Sequence, residues 1–307
     1  MKVFFYEHFL RLAARYPAVW IGLTASCLLA VVLFFALALG LIADHQDKPD
    51  PLPRALPKQE SGAVPTAGGN PVPPEDPAPL LPAKTPDRAG LAIVIDDLGE
   101  NMQTVQALLM LRIPIAFAIL PHARLARETA LAAHAAGCAI LIHQPMEALD
   151  AAAKPGPHPL RVGMPRDHME AIFLQNRARV PHAEGLNNHM GSRFTSRPRD
   201  VRLLCQIMAN SGLFVLDSVT HPSSVLYEEA HAAGIPAARR HIFLDAKPGK
   251  AAALAQLREA TRLALHGKQV IAIGHPRADT VAALREWNRT RDPRLRLLSL
   301  RDCLTPP

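Results

Sequence analysis

Six short apolar runs alternating with helical stretches constrain this chain more than any other feature in it. The runs are LAIVID (91–96), IPIAFAIL (113–120), CAILIH (138–143), GLFVLD (212–217), HIFLD (241–245) and QVIAIGH (269–275). They read as strands buried on both faces. Helical patterns fall at 123–136, 165–179, 197–211, 223–233, 248–266 and 278–290. Such alternation predicts parallel strands with helices outside, and the length suits a barrel of roughly seven or eight units. Nearly every run ends in an acid or an imidazole: Asp96–Asp97, His143, Asp217, Asp245 and His275. Ligands of parallel α/β folds bind at the carboxyl ends of the strands, so these residues are expected to meet at one mouth. No GxGxxG, GxxxxGK[ST] or GxSxG occurs, so neither a phosphate loop nor a serine-hydrolase elbow is supported.

The N-terminal third is a different kind of chain. Residues 18–43 carry no charge over 26 positions, enough to cross a bilayer core with some tilt. Lys2, Arg11 and Arg15 precede the run, while Asp44, Asp47 and Lys48 follow it. The expectation is a cytoplasmic segment 1–17 and an uncleaved single-pass anchor 18–43 in the inner membrane of a Gram-negative-type envelope. The C-terminal bulk would then be periplasmic. A cleaved signal peptide fits less well, because its apolar core is usually shorter and no clean A-x-A site follows. Residues 44–89 are expected to be a disordered spacer: 49–86 hold twelve of the 29 prolines and few large apolar residues. The folded domain is expected over 90–305.

The net charge of +7 comes largely from scattered arginines such as Arg285, Arg289, Arg291, Arg294 and Arg296. No basic run interleaves with aromatics, so no nucleic-acid partner is expected; a solvated basic face suits anionic surfaces such as lipid headgroups or acidic glycans. Cys27, Cys138, Cys205 and Cys303 show no metal or redox spacing. Buried thiols, with at most one disulfide, are the expectation.

Four constellations carry chemistry. Asp96 and Asp97 end the first run, where two carboxylates repel unless a cation or proton intervenes; Asp97 as a helix N-cap is the plainer alternative. His143 and Glu147, read as i, i+4 partners in one helical turn, suit a divalent ion. The stretch Gly185-Leu-Asn-Asn-His-Met-Gly-Ser-Arg-Phe-Thr195 gathers amide, imidazole, hydroxyl and guanidinium groups, and is read as a loop of donors for a substrate or oxyanion. Asp217 and His275 end later runs, as a carboxylate that orients an imidazole.

IVIDDLG, HQPME, GLNNHMGSRFT, FVLDSVT, RRHIFLD and IGHPRADTVAAL occur in that order over 94–284. Together they resemble the successive motifs of the divergent polysaccharide deacetylases, the YibQ-like envelope proteins. That family is a branch of the carbohydrate esterases with a distorted (β/α) barrel of the NodB-homology type. The resemblance implies metal-dependent removal of N- or O-acetyl groups from an envelope polysaccharide or peptidoglycan. It places the base on Asp96, and metal ligands on Asp97, His143 and either Glu147 or His189. It places the acid on His275, oriented by Asp217. Substrate contacts are expected from Asn187, Asn188, Ser192 and Arg193, and a divalent cation, zinc first, is the expected cofactor. The chain departs from the deacetylase pattern at Glu147, where the second motif has His. It departs again in the NNHMGSR stretch, where the third has Arg-x-Pro-x-Gly, and after Asp217, where a second Asp and a Trp are usual. The alternative is a catalytically silent periplasmic barrel that binds glycan or an envelope partner.

Overall fold

A computed structural model describes residues 89–306. The predicted anchor, and the spacer up to residue 88, lie outside the described residues. No helix among those described is long and apolar enough to cross a membrane.

Eight strands form one parallel sheet: β1 (Gly90–Leu98), β2 (Ile115–Ile119), β3 (Ile140–Met146), β4 (Gly185–Met190), β5 (Phe214–Asp217), β6 (Ala237–Arg239), β7 (Ile242–Phe243) and β8 (Gln269–Gly274). Their order is β6-β5-β4-β3-β2-β1-β8-β7. Six helices connect them, α1 (Met102–Leu109), α2 (Ala126–Ala135), α3 (Arg166–Arg179), α4 (Pro198–Met208), α5 (Leu226–Ala232) and α6 (Lys250–Leu265), and α7 (Ala278–Thr290) follows β8. The edge strands β6 and β7 are separated by only two residues, Arg240 and His241. The Arg240 amide donates to Asp217 O on β5, and the next amide, His241, donates to Ile271 O on β8. One short segment thus spans from one edge of the sheet to the other, so the sheet must curl until its edges nearly meet. No ladder joins β6 to β7, so this is a curled, distorted barrel closed by the chain rather than by sheet pairing.

Alternation along the strands sorts the side chains into two cores. Leu91, Ile93, Ile95, Ile115, Phe117, Ile119, Ile140 and Ile142 point outward and pack in one cluster with the helices. Ala92, Val94, Ala116, Ala118, Ala139, Leu141, Leu216, Ala238, Ile271 and Ile273 form a second cluster inside the barrel. Many of these inner residues are alanines, as the narrow interior requires. The lower end is plugged by Leu298, Leu300 and Cys303, which belong to the same inner cluster. This tail is tied to β1 by Leu298 N to Leu91 O, and to β6 by a bridge between Ala237 and Thr305. Gly185 keeps β4 seated beside β5, since a Cβ there would lie 2.4 Å from the Phe214 ring.

The structure differs from the sequence reading in several elements, and it adds the short strand β6 (Ala237–Arg239), which none of the six apolar runs covers. The polar stretch read as a donor loop begins as a buried strand, β4. His143 lies in strand β3, with Glu147 just beyond it, so the two do not share a helical turn. Helix α1, which the sequence offered only with Asp97 as its cap, is capped instead by Asn101, whose side chain accepts from Gln103 N and Thr104 N.

Candidate active site

The inward-facing columns that build the lower core end, at the upper mouth, in polar residues. Alternation carries β1 from Ala92 and Val94 to Asp96, β3 from Ala139 and Leu141 to His143, β5 from Phe214 and Leu216 to Ser218, and β8 from Ile271 and Ile273 to His275. Asp97 should face outward by the same rule, but β1 shifts register between Ile95 and Leu98. Asp97 sits there in left-handed backbone, φ 54. The bulge returns Leu98 to the outer core and turns both carboxylates into the mouth. A non-glycine residue in this conformation is strained, and such strain is concentrated at functional sites.

Three donor atoms converge in the mouth. Asp97 Oδ1 lies 3.1 Å from His143 Nε2 and 2.9 Å from His189 Nδ1. The two ring nitrogens are 3.2 Å apart. Asp97 Oδ1 is buried yet has hydrogen-bond geometry to neither imidazole. On the far side of the His143 ring, Nδ1 is 2.9 Å from Asn187 Oδ1, which can only accept. Nδ1–H therefore donates there, and in the neutral ring Nε2 is left with a lone pair aimed at the cluster. Asn187 Nδ2 in turn donates to Asp96 Oδ1 at 2.8 Å and to Ser218 Oγ at 3.1 Å.

The electrostatics ask for a positive charge at this point. Burial raises Asp96 from the ordinary carboxylate value, despite the pull of His143 and Asn187. Burial acts in the same direction on Asp97, but the close imidazoles of His143 and His189 outweigh it and hold that carboxyl well below the usual range. His143 is opposed by burial, yet Asp96 and Asp97 raise it to about 9. Without a metal, a proton on His143 thus offsets the two carboxylates. One carboxylate oxygen and two imidazole nitrogens, all within 4.8 Å of one another, also form a donor set suited to a divalent cation such as zinc. The residues present fit such an ion.

His275 follows β8, the strand paired with β1. Its Nδ1 is 3.0 Å from Asp245 Oδ1, and its backbone N–H donates to Asp245 Oδ2 at 2.9 Å. Thr280 Oγ1 donates to the same carboxylate. Burial would lower His275, but the Asp245 contact and the charge of Asp97 raise it overall. Its Nε2 points inward, 3.8 Å from Asp97 Oδ2. Asp96, Asp97, His143, His189 and His275 all line one cavity of about 430 Å³.

Four of the expected site residues sit elsewhere. Asp217, expected to orient His275, faces outward on β5; it accepts from Val219 N and Ser224 Oγ, both at 2.8 Å. Asp245 makes the contact assigned to it. Glu147 is not with the metal-ligand candidates: it accepts from Val162 N and pairs with Arg193 at 3.2 Å. Arg193 is therefore spent on Glu147, and Ser192 accepts from Leu149 N at 2.9 Å, so both brace the loop after β3. Asn188 lines the cavity, but its amide ties β4 to the β5 turn through Ser218 N and Thr220 Oγ1. Ser218, Arg240 and Phe243 line the cavity and were not singled out from the sequence. For Asp245 a signal existed, since it too ends a strand run.

In class this is a curled parallel α/β barrel with its polar groups gathered at the carboxyl-end mouth. Residues 93–304 match the model of the divergent polysaccharide deacetylases, and the chain belongs to that family. It is 35% identical over 231 residues to the uncharacterized protein YibQ of Escherichia coli K12, covering 75% of this chain and 72% of that one. An uncharacterized Haemophilus influenzae Rd protein is 35% identical over 210 residues, 68% of this chain and 75% of its own. Among solved structures, an uncharacterized Agrobacterium tumefaciens C58 protein superposes with a TM-score of 0.61 at 23% identity, over 65% of this chain and 82% of its own. That likeness is one of fold.

Proposed function

We propose that the protein is a metal-dependent deacetylase acting on an acetylated envelope polysaccharide or peptidoglycan, held in the inner membrane by residues 18–43 with its barrel in the periplasm. The observation that carries the reading is the convergence of Asp97, His143 and His189 on one point, with Asp96 and His275 beside it. Asp97 Oδ1, His143 Nε2 and His189 Nδ1 would hold the ion, with zinc as first choice. When bound, it would polarise the acetyl carbonyl and make water a stronger acid. Asp96 takes the proton of the attacking water as the water oxygen bonds to the acetyl carbon; its burial makes it the more basic of the two carboxylates. His275, held by Asp245, gives its proton to the departing nitrogen or oxygen as the C–N or C–O bond breaks. The products are acetate and the free amine or alcohol. Asn187 fixes the His143 tautomer and steadies Asp96 with one amide.

The test is metal content and acetate release with the purified full-length chain. Wild type is expected to hold about one divalent ion per chain and to release acetate from acetylated peptidoglycan. His143→Ala should lose both while remaining folded. A wild type that takes up no metal after reconstitution would overturn the reading.

A further inference from the structure

RRHIFLD holds two cavity-lining residues, Arg240 and Phe243, that the reaction above leaves unused. Arg240 occupies the step where the chain passes from β6 to β7. Its Nε donates to Ser218 O and its Nη2 to Val219 O, each at 2.7 Å. Its guanidinium carbon lies 5.0 Å from the centroid of the Phe243 ring. Two hydrogen bonds and a stacked face fix the plane of the group before anything binds. The turn that supplies the carbonyls is itself costly to hold: Val219 is β-branched and has φ 48. Asp217 braces that turn through Val219 N, which gives the carboxylate a task although its expected partner, His275, is held by Asp245 instead.

The charge of Arg240 is not matched. Asp217 and Asp96 act on it through space, but it forms no ion pair among the described residues, and its Nη1 has no hydrogen-bond partner among them. A half-buried cation is costly unless paired, and guanidinium groups favour planar oxyanions. Apart from its histidines, Arg240 is the one basic residue lining this cavity among the described residues. We infer that Arg240 is an anion-binding subsite of the cavity, and that the glycan bears a carboxylate or phosphate close to its acetyl group. The inference rests on the deacetylase reading for the acetylated sugar, but the subsite is defined by binding alone.

The experiment compares three small sugars with one acetamido ring in common: N-acetylglucosamine, N-acetylmuramic acid with its carboxylate, and N-acetylglucosamine 6-phosphate. Affinities for the full-length chain are measured by NMR titration, with acetate release followed in parallel. At least one acidic sugar should bind roughly ten- to a hundredfold tighter than the neutral one, as a charged hydrogen bond predicts, and the preference should shrink with added salt. Preference for one acidic sugar identifies carboxylate or phosphate as the group recognised. Arg240→Met should bring the acidic-to-neutral ratio near one, and Arg240→Lys should restore part of it. Should Arg240→Met fail to fold, the wild-type ratio and its salt dependence still decide. A wild-type ratio near one overturns the inference, as does an equal loss for all three sugars in folded Arg240→Met, which would make Arg240 a turn brace only. An acidic preference without acetate release would retain the subsite and sink the deacetylase reading instead.

Discussion

The two ends of the barrel interior use the same strands and the same alternation for opposite purposes. Below, the inward columns are Ala92, Val94, Leu141, Leu216 and Ile271, closed by Leu298, Leu300 and Cys303. Above, one step further along the same columns, stand Asp96, His143, Ser218 and His275. The lower end hides apolar area and supplies stability. The upper end buries carboxylates and imidazoles that must be held by partners, and it places Asp97 and Val219 in left-handed backbone. The difference teaches that strand geometry alone delivers a side chain to the interior, and height along the column decides whether it serves the fold or the chemistry.

Paired substitutions at different heights test that division. At the mouth, Asp96→Asn should cut acetate release by roughly 100- to 10,000-fold while the melting temperature holds or rises, because a buried carboxylate is replaced by a neutral isostere. Retained turnover in Asp96→Asn would break the assignment of the mouth to acid–base chemistry. One position below His143 in its column, Leu141→Ala should cost about 2–5 kcal/mol in urea unfolding, with little change in turnover per folded molecule. If Leu141→Ala lost activity without losing stability, the two ends would not be separable.

A finer comparison sets Asp245 against Asp217, two strand-end carboxylates of similar burial. Asp245→Asn should lower kcat about 10- to 100-fold, leave KM near the wild-type value and move the alkaline limb of the pH–rate profile to lower pH, because His275, the general acid, loses the partner that raises it. Asp217→Asn should destabilise by about 1–3 kcal/mol through the β5 turn and leave the pH profile in place. Identical pH profiles for the two variants would deny Asp245 its positioning role. The smallest effect concerns the thiols. Cys205 is fully buried and burial pushes it up to about 12, so it should resist alkylation in the native chain. Cys138 is half-buried and raised less, and it should react before Cys205 or Cys303; mass spectrometry of partly alkylated protein reads the order.

Much of this was legible in the chain itself. The apolar runs ending in acids and imidazoles marked β1, β3, β5 and β8, and the helical periods marked α2 to α7. β4 was hidden because two of its four buried positions are Asn187 and Asn188, which are satisfied by Asp96, His143 and Ser218 rather than by apolar neighbours. The 143–147 spacing looked helical because i, i+4 is a helix period, but in an extended chain it places the two side chains far apart along the strand.

Sequence by itself determined that strands and helices alternate, and that acids and imidazoles stand at the strand ends, because hydrophobic period and strand polarity are local properties. It also left His189 and Glu147 as equal candidates beside His143, and joined His275 to Asp217. Only the tertiary structure decided between them. Pairing of β3 with β4 sets Asn187 opposite His143 and brings His189 to the cluster, while the curl of the sheet sets Asp245 beside β8 and turns Asp217 away from the mouth. Those choices depend on register and on which face of a strand turns inward. A one-residue bulge at Asp97 is enough to reverse a face, and the sequence does not announce it.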